Sequence, residues 1–182
     1  MEKLIDTLKR QIPYIPQSDR AKITKKLFEV LGYTCKEYGY GDPYNYARSK
    51  EIMTALELGH TMAPTFSGAD AYNEAGRPVE YKSTTEKKIK ATYNGVSVQQ
   101  TWPEQRKYLT EEKIGKYSEH YFTRFSDCGE IEEIWKASGA DVLNLLLPKF
   151  KKQYFSESIR KDPRLGATLT NKQITTIGEK IR

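Results

Sequence analysis

Apolar side chains in the N-terminal third of the chain recur every three to four residues, which is the repeat of one face of an α-helix. The predicted elements are a helix through Leu4, Ile5, Leu8 and Ile12, a second over residues 18–32, a third over residues 48–58 ended by Gly59, and loops at residues 13–16 and 33–46. The chain is therefore predicted to open with three helices.

From Phe66 onward the spacing changes to the two-residue repeat of strands, interrupted by turn-forming residues. Asn94-Gly95 lies between two such segments, where an Asn-Gly pair is the strongest short-range hairpin signal. The predicted elements are a segment ending at Asp70 and Ala71, a turn at residues 73–76, a strand over residues 79–84, a two-stranded ribbon over residues 87–102, a helix start at residues 110–112, strands over residues 120–125 and 130–135, and a helix over residues 140–147 broken at Pro148. The polar C-terminal stretch carries no clear pattern.

The order of these elements, helices followed by strands and then another helix, predicts an α+β or mixed α/β fold. No repeat or long linker interrupts the 182 residues, so a single domain over residues 1–182 is expected. Its parts are a helical region over residues 1–31, a sheet region over residues 66–136, and a helix with a basic tail over residues 137–182.

Charge and cysteine content narrow the function classes only a little. The chain has 30 basic and 24 acidic residues and a formal charge of +6, which favours a polyanionic partner. Cys35 and Cys128 have no metal-binding spacing, so neither a zinc site nor a disulfide framework is expected. Neither an apolar signal region nor a run of membrane-spanning length occurs, and a cytoplasmic protein with no membrane partner is expected.

One predicted hairpin concentrates the candidate chemistry. Asp70 lies ten residues before Glu80 with a turn between them, so the two strands can bring both carboxylates together. Glu80 and Lys82, two positions apart on a strand, project from one face, and Tyr81 projects from the other. A hard divalent cation such as Mg²⁺ would offset the carboxylate repulsion. With a lysine, this set suits phosphodiester hydrolysis by metal-activated water.

A second interpretation of these residues needs no chemistry. In a chain with 30% charged residues, a glutamate and a lysine two positions apart arise by chance as a surface cross-strand pattern. Spacing alone leaves both interpretations open.

The whole segment GADAYNEAGRPVEYKS, residues 68–83, resembles the active-site hairpin of the PD-(D/E)XK restriction-endonuclease family, most closely that of the PvuII type. The resemblance implies a restriction-endonuclease-like core with a central mixed β-sheet flanked by helices. It also implies that Asp70, Glu80 and the backbone carbonyl of Tyr81 bind metal and that Lys82 is the catalytic lysine. Mg²⁺ is the implied cofactor, with Mn²⁺ as an alternative.

The sequence departs from the family pattern in two places. Ala69 stands where the family nominally has proline, a position that drifts within the family. The run of adjacent histidines that the PvuII type uses in base reading is absent, so the target sequence does not carry over. His60 and His120 are isolated and are interpreted as structural.

The resemblance implies a type II site-specific deoxyribonuclease that cuts double-stranded DNA at a short palindrome and leaves 5′-phosphates. Family members typically act as homodimers, and an isologous dimer presents two identical sites about the axis of a palindrome. Residues 1–31 are the candidate dimer face, with ordinary core as the open alternative. Such an activity implies a companion DNA methyltransferase that protects the host.

Several residues are candidates for holding DNA. A two-stranded ribbon fits the major groove, where Asn and Gln pair with adenine, and lysines meet phosphates without reading sequence. The candidates are Tyr93, Asn94, Gln99 and Gln100 on the ribbon, Lys87, Lys88 and Lys90 at phosphates, Ser83 beside the site, Asn45, Tyr46 and Arg48 near the minor groove, and a tail cluster of Lys149, Lys151, Lys152, Arg160, Lys161 and Arg164. Asn94 as a turn former and the tail as a solvated basic face remain open alternatives.

Two other functions are compatible with the residues. A phage-encoded or repair nuclease with the same chemistry would recognise DNA structure instead of a palindrome. A DNA-binding module with an incidental acidic hairpin would bind duplex without metal-dependent cleavage.

Overall fold

A computed structural model describes residues 2–64, 68–156 and 164–182. The helices are α1 (Glu2–Gln11), α2 (Gln17–Glu37), α3 (Tyr46–Leu58), α4 (Trp102–Tyr108), α5 (Gly139–Tyr154) and α6 (Asn171–Ile177). The strands are β1 (Thr61–Met62), β2 (Ala71–Tyr72), β3 (Pro78–Thr84), β4 (Ala91–Ser97), β5 (Glu119–Phe125), β6 (Ile131–Ser138), β7 (Arg164–Leu169) and β8 (Glu179–Lys180). A 3₁₀ turn (Ile12–Tyr14) follows α1, and a π-helical turn (Leu109–Lys113) follows α4.

The main sheet is mixed and has the strand order β1-β2-β3-β5-β6-β8. Strands β3 and β5 pair in parallel, whereas the other neighbours in this sheet pair antiparallel. Strands β4 and β7 form a separate antiparallel pair. The prediction of a mixed α+β fold is therefore confirmed, with helices on both sides of the main sheet.

Alternation along the central strands separates two hydrophobic cores. On one face, Ile52 and Ala55 of α3 pack with Val79 and Tyr81 of β3. On the other face, buried residues of α5 pack with Phe122 of β5 and with the β4–β7 pair. Because apolar side chains leave water on both faces, β3 is held in the middle of the molecule.

Helix α2 carries several large apolar side chains but packs little against the rest of the chain. Among its residues only Cys35 is buried. Its large exposed apolar side chains are Ile23, Leu27, Phe28, Val30, Leu31 and Tyr33. Clustered exposed apolar side chains of this kind are unusual on a monomer.

Most helices and the strands around the hairpin form where the pattern predicts them. The structure confirms the first three helices, the end of the third at Gly59, and the two strands now seen as β5 and β6. It also confirms the hairpin, in which Ala71 of β2 pairs with Val79 of β3 across the predicted turn. Residues 65–67, where the strand pattern begins, lie outside the described residues.

The ribbon predicted over residues 87–102 is wrong. Asn94-Gly95 lies inside the single strand β4, which pairs with β7 and has an irregular register between Tyr93 and Val96. Gly95 has a φ of +69°, a conformation that suits a β-bulge as well as a hairpin turn. The second half of the expected ribbon instead ends at Thr101, which caps α4.

Two helix boundaries also differ from the prediction. Helix α5 continues through Pro148, because Leu146 and Phe150 on either side are completely buried and this packing outweighs the lost backbone hydrogen bond. Helix α2 runs past Gly32 to Glu37, since a mid-helix glycine weakens a helix by only about 1 kcal/mol. The unassigned tail forms β7, α6 and β8. Within the described residues, no helix is long and apolar enough to cross a membrane.

Gly139, at the junction of β6 and α5, leaves no room for a side chain. A Cβ there would lie 2.0 Å from the carbonyl oxygen of Tyr117. We expect Gly139→Ala to lower the free energy of unfolding by at least about 2 kcal/mol, because overpacking against backbone is poorly relieved. Urea denaturation would measure it. The control Ala140→Ser, at the exposed next position, should change the free energy of unfolding little. If Gly139→Ala is as stable as wild type, the close approach of Gly139 to the Tyr117 carbonyl is contradicted.

Candidate active site

The hairpin fixes Asp70 against strand β3 through its backbone and its side chain. The Asp70 amide donates to the carbonyl of Val79 (3.2 Å), and its own carbonyl accepts from the amide of Ala63 (3.1 Å). Its carboxylate Oδ2 accepts from the amide of Tyr81 at 2.7 Å. The carboxylate therefore cannot turn away from β3 without leaving a backbone amide unpaired.

Glu80 and Lys82 project from the same face of β3. The Lys82 ammonium donates to Glu80 Oε1. The side chain of Lys82 is 24% exposed and that of Glu80 is 15% exposed. Tyr81, between them, points to the opposite face and is buried in the core under α3. The structure thus brings Asp70, Glu80 and Lys82 together, as the spacing predicts.

The charges of these three groups shift one another's pKa values. Burial, and after it the Glu80 carboxylate, raises the pKa of Asp70 from 3.8 to about 7, against the opposing effects of Lys82 and the Tyr81 amide. Burial lowers the pKa of Lys82, but Glu80 and Asp70 more than offset it, so that pKa lies above its ordinary value. At neutral pH Asp70 is therefore poised between its two protonation states, and Lys82 carries a positive charge.

Tyr117 closes the site from the segment that precedes β5. Its side chain is 5% exposed, and its hydroxyl donates to the carbonyl of Gly68, next to the hairpin. The pKa of Tyr117 is raised by burial and then by Glu80 and Asp70, with Glu80 also in hydrogen-bonding reach. Through these two contacts, Tyr117 links the segment just before Asp70 to the side chain of Glu80.

Glu51 of α3 is a third carboxylate near the site that sequence analysis missed. It contributes to the raised pKa values of both Asp70 and Lys82. With Tyr81 and Lys82 it lines a cavity of about 200 Å³ between α3 and β3. No motif marks Glu51, because it comes from a separate helix and joins the site only by packing.

Lys82 is backed by two buried polar side chains, Tyr93 of β4 and His120 of β5. The Lys82 ammonium lies 5.2 Å from the centroid of the Tyr93 ring, and the Tyr93 hydroxyl is 2.9 Å from His120 Nδ1. Burial lowers the pKa of His120 to about 4 and raises that of Tyr93. Both groups are therefore neutral at physiological pH.

The oxygen atoms at the hairpin suit a hard divalent cation. Asp70 and Glu80 supply carboxylates and Tyr81 supplies a backbone carbonyl, which are ligands that Mg²⁺ and Mn²⁺ prefer. In the described parts of the chain, no three His, Cys, Asp or Glu side chains already converge as a metal-binding group. Asp70 is bonded to the Tyr81 amide and Glu80 to Lys82, so a cation would compete with these contacts.

Two residues predicted to contact DNA are buried instead. Arg48 is 3% exposed, and its guanidinium donates to the carbonyls of Tyr40 (2.9 Å) and Ala63 (2.7 Å) and pairs with Glu51. Tyr93 is 6% exposed and hydrogen-bonded to His120. Both predictions are corrected, because buried groups satisfied within the chain are not available to a duplex.

Other predicted DNA contacts lie on the rim of the site. Tyr46 is 74% exposed, and its ring stacks under Lys50, whose ammonium is 3.6 Å from the ring centroid. Ser83 is exposed next to Lys82. Asn45 caps α3, accepting from the amides of Ala47 and Arg48, so its oxygen already has a structural role.

The remaining predicted contacts are spread over other surfaces. Lys87 and Lys88 line a cleft of about 920 Å³ with Arg124, and Lys90 pairs with Glu86. Asn94 and Gln100 are exposed and Gln99 is half-buried. In the tail, Lys151 and Lys152 are exposed, Lys149 bonds to the Thr168 carbonyl and to Gln173, and Arg164 begins β7. Arg160 and Lys161 lie outside the described residues.

No protein-family model matches the chain, and no curated protein matches its sequence.

The coupled carboxylates predict a pH-dependent stability for the metal-free protein. The pKa of Asp70 is higher in the folded state (about 7) than the ordinary 3.8, so the folded state binds more protons between these values and stability falls as pH rises through that window. Asp70→Asn keeps the acceptor for the Tyr81 amide and removes the charge. We expect it to raise the free energy of unfolding at pH 8 by on the order of 2 kcal/mol.

Urea denaturation at pH 5 and pH 8 would measure this difference, which should be larger at pH 8. The control Asp127→Asn, at an exposed carboxylate in the β5–β6 turn, should show no such dependence. Equal stability of Asp70→Asn and wild type at pH 8 would refute the buried carboxylate pair.

Proposed function

We propose that this chain is a metal-dependent DNA endonuclease with a restriction-endonuclease-like core, most specifically a type II enzyme that hydrolyses both strands of duplex DNA at a short palindrome. The observation that carries the proposal is the gathering of Asp70, Glu80 and Lys82 in one partly buried place. A chance surface pattern of charges would leave these side chains solvated and apart, and would not raise the pKa of Asp70 to about 7.

The topology around the hairpin supports the same proposal. The hairpin strand β3 is central in a mixed sheet, and α3 and α5 cover opposite faces. This is the coarse arrangement that the resemblance of residues 68–83 to the PD-(D/E)XK hairpin implies.

The proposed chemistry divides between a cation and the side chains. Asp70, Glu80 and the Tyr81 carbonyl would hold Mg²⁺ or Mn²⁺, which supplies Lewis acidity that activates water and offsets charge on the phosphate. Lys82 holds a positive charge beside Glu80 and would orient the attacking water or stabilise negative charge on a phosphate oxygen. Glu51 adds negative charge near Asp70 and Lys82, although its ion pair with Arg48 offsets part of that charge.

DNA would approach the site along its exposed rim. Lys50 and Ser83 line the cavity between α3 and β3 together with Lys82, and Tyr46 contacts Lys50. Lys87 and Lys88 offer positive charge in the adjoining cleft, and phosphate contacts by lysines add affinity without sequence preference. The net charge of +6 favours the encounter with a polyanion.

A cleavage assay with a matched set of variants tests the proposed activity. Purified protein is incubated with an unmethylated phage genome with and without Mg²⁺, and fragment ends are sequenced. We expect discrete Mg²⁺-dependent fragments with 5′-phosphates that share a short palindrome. Asp70→Ala, Glu80→Ala and Lys82→Ala should reduce cleavage to background, while duplex binding without metal survives or tightens in the two carboxylate variants because they repel phosphate less.

Glu74→Ala is the control for that assay, since Glu74 is an exposed carboxylate in the turn of the same hairpin. It should cleave at the wild-type rate. Cutting that follows DNA structure instead of sequence would contradict the restriction activity and would indicate a repair or phage-type nuclease. Duplex binding without any metal-dependent cutting would leave only a DNA-binding module. A site-specific result would in turn imply a companion methyltransferase.

The exposed face of α2 supports a homodimer. Ile12 and Ile15 of the preceding turn form an apolar groove of about 440 Å³ with Ile23 and Leu27. Two copies of this surface packed about a twofold axis would bury it and would pair the two sites with the two strands of a palindrome.

Leu27→Asp tests the dimer because it places a charge in the lining of that groove. Leu27 is 62% exposed, so the monomer fold should tolerate the change. We expect light scattering after size exclusion to show a dimer for wild type and a monomer for the variant. Lys25→Asp, on the opposite side of the helix, should remain dimeric, and a monomeric wild type would refute the interface.

A further inference from the structure

Two buried polar side chains, Tyr93 and His120, lie directly behind Lys82. They come from different strands, β4 and β5, and their ring centroids are 5.7 Å apart. Tyr93 is 6% exposed, and His120 is completely buried. A hydroxyl and an imidazole in an apolar interior destabilise a fold unless both are hydrogen-bonded. The hydrogen bonds of Tyr93 and His120 therefore indicate the role of each side chain.

The hydrogen bonds of His120 define its tautomer. Nε2 lies 3.1 Å from the carbonyl oxygen of Ile114, and a carbonyl only accepts, so Nε2 carries the proton. Nδ1 of the neutral imidazole is then an acceptor, and the Tyr93 hydroxyl at 2.9 Å donates to it. The Tyr93 ring is thus held at both ends, by the backbone of β4 and by its hydroxyl.

The face of this fixed ring meets the Lys82 ammonium at 5.2 Å from the ring centroid, within the cation–π range of about 6 Å. Lys82 is attracted by three carboxylates, those of Glu80, Asp70 and Glu51. A lysine ammonium is a compact charge on a flexible stem. Charge alone therefore leaves several positions open to Lys82, and a contact with a definite direction is needed to select one.

We propose that Tyr93 is a positioning residue, locked by its hydrogen bond to neutral His120, that confines the Lys82 ammonium to the Glu80 side of the site. The role of the confined lysine rests on the nuclease function proposed above, whereas the confinement itself is a property of the folded chain. Phenylalanine at position 93 would keep the ring face and lose the hydrogen bond to His120. Leucine at this position would lose both.

The confinement is testable without any nuclease activity. In metal-free protein labelled with ¹³C-lysine, the Hε protons of Lys82 should resonate upfield because the Tyr93 ring shields them. Lys82→Arg identifies the resonance by its disappearance. We expect Tyr93→Leu to abolish the upfield shift and Tyr93→Phe to reduce it. Phe150→Leu, which removes a buried ring from the same core cluster, should leave it unchanged.

The kinetic consequence is a loss of rate without a loss of binding. Single-turnover cleavage by Tyr93→Leu should fall by about tenfold, the size of one partly desolvated cation–π contact, with unchanged duplex affinity in metal-free buffer. Tyr93→Phe should recover most of that rate. Phe150→Leu should keep the wild-type rate even if its melting temperature falls, which separates positioning from general packing.

The two proposals fail in distinguishable ways. Absence of cleavage by the wild type would overturn the nuclease function, while the Lys82 resonance still tests the confinement. An unshifted Lys82 resonance in the wild type, or one unaffected by Tyr93→Leu, would overturn the confinement whatever the protein cleaves. If Tyr93→Leu does not fold, Tyr93→Phe decides, and a resonance identical to wild type would overturn the role of the His120 lock.

Discussion

Two carboxylates held close together in a partly buried place repel each other, and the arrangement around Asp70 and Glu80 depends on that repulsion being opposed. Asp70 cannot turn away, because its carboxylate accepts the Tyr81 amide. Glu80 is paired with Lys82, which partly compensates the excess negative charge. The remaining imbalance appears as the raised pKa of Asp70, at about 7. Unbalanced negative charge and oxygen ligands suit the cation that we propose for this site.

The fold keeps the two carboxylates close together by fixing strand β3, which carries Glu80 and binds Asp70. Strand β3 has a hydrogen-bonded neighbour on each side, β2 and β5. Val79 and Tyr81 are buried under α3, so strand alternation directs Glu80 and Lys82 to the other face. A shift of β3 by one residue would exchange these two sets and bury both charges under α3. Packing on both faces therefore determines the site's geometry as firmly as the hydrogen bonds do.

Polar residues near the site divide into those that face outward and those that support the interior. Arg48 bonds the carbonyls of Tyr40 and Ala63 and joins α3 to the chain before and after it. Tyr93 and His120 bond each other behind Lys82. The residues with exposed surface are Tyr46, Lys50 and Ser83 and those of the lysine-lined cleft, where we propose that DNA binds. Charge and polarity alone do not distinguish the buried supporting residues from the exposed ones.

The sequence by itself determined the helices and strands whose periodicity is strong, and the hairpin that brings Asp70, Glu80 and Lys82 together, because these follow from neighbours only a few residues apart. Tertiary structure decided the rest. It brought Glu51, Tyr117 and His120 to the site, buried Arg48 and Tyr93, and carried β4 through Asn94-Gly95 and α5 through Pro148. Local preferences of about 1 kcal/mol are outweighed where distant segments bury apolar surface together, and no short-range pattern records that contact.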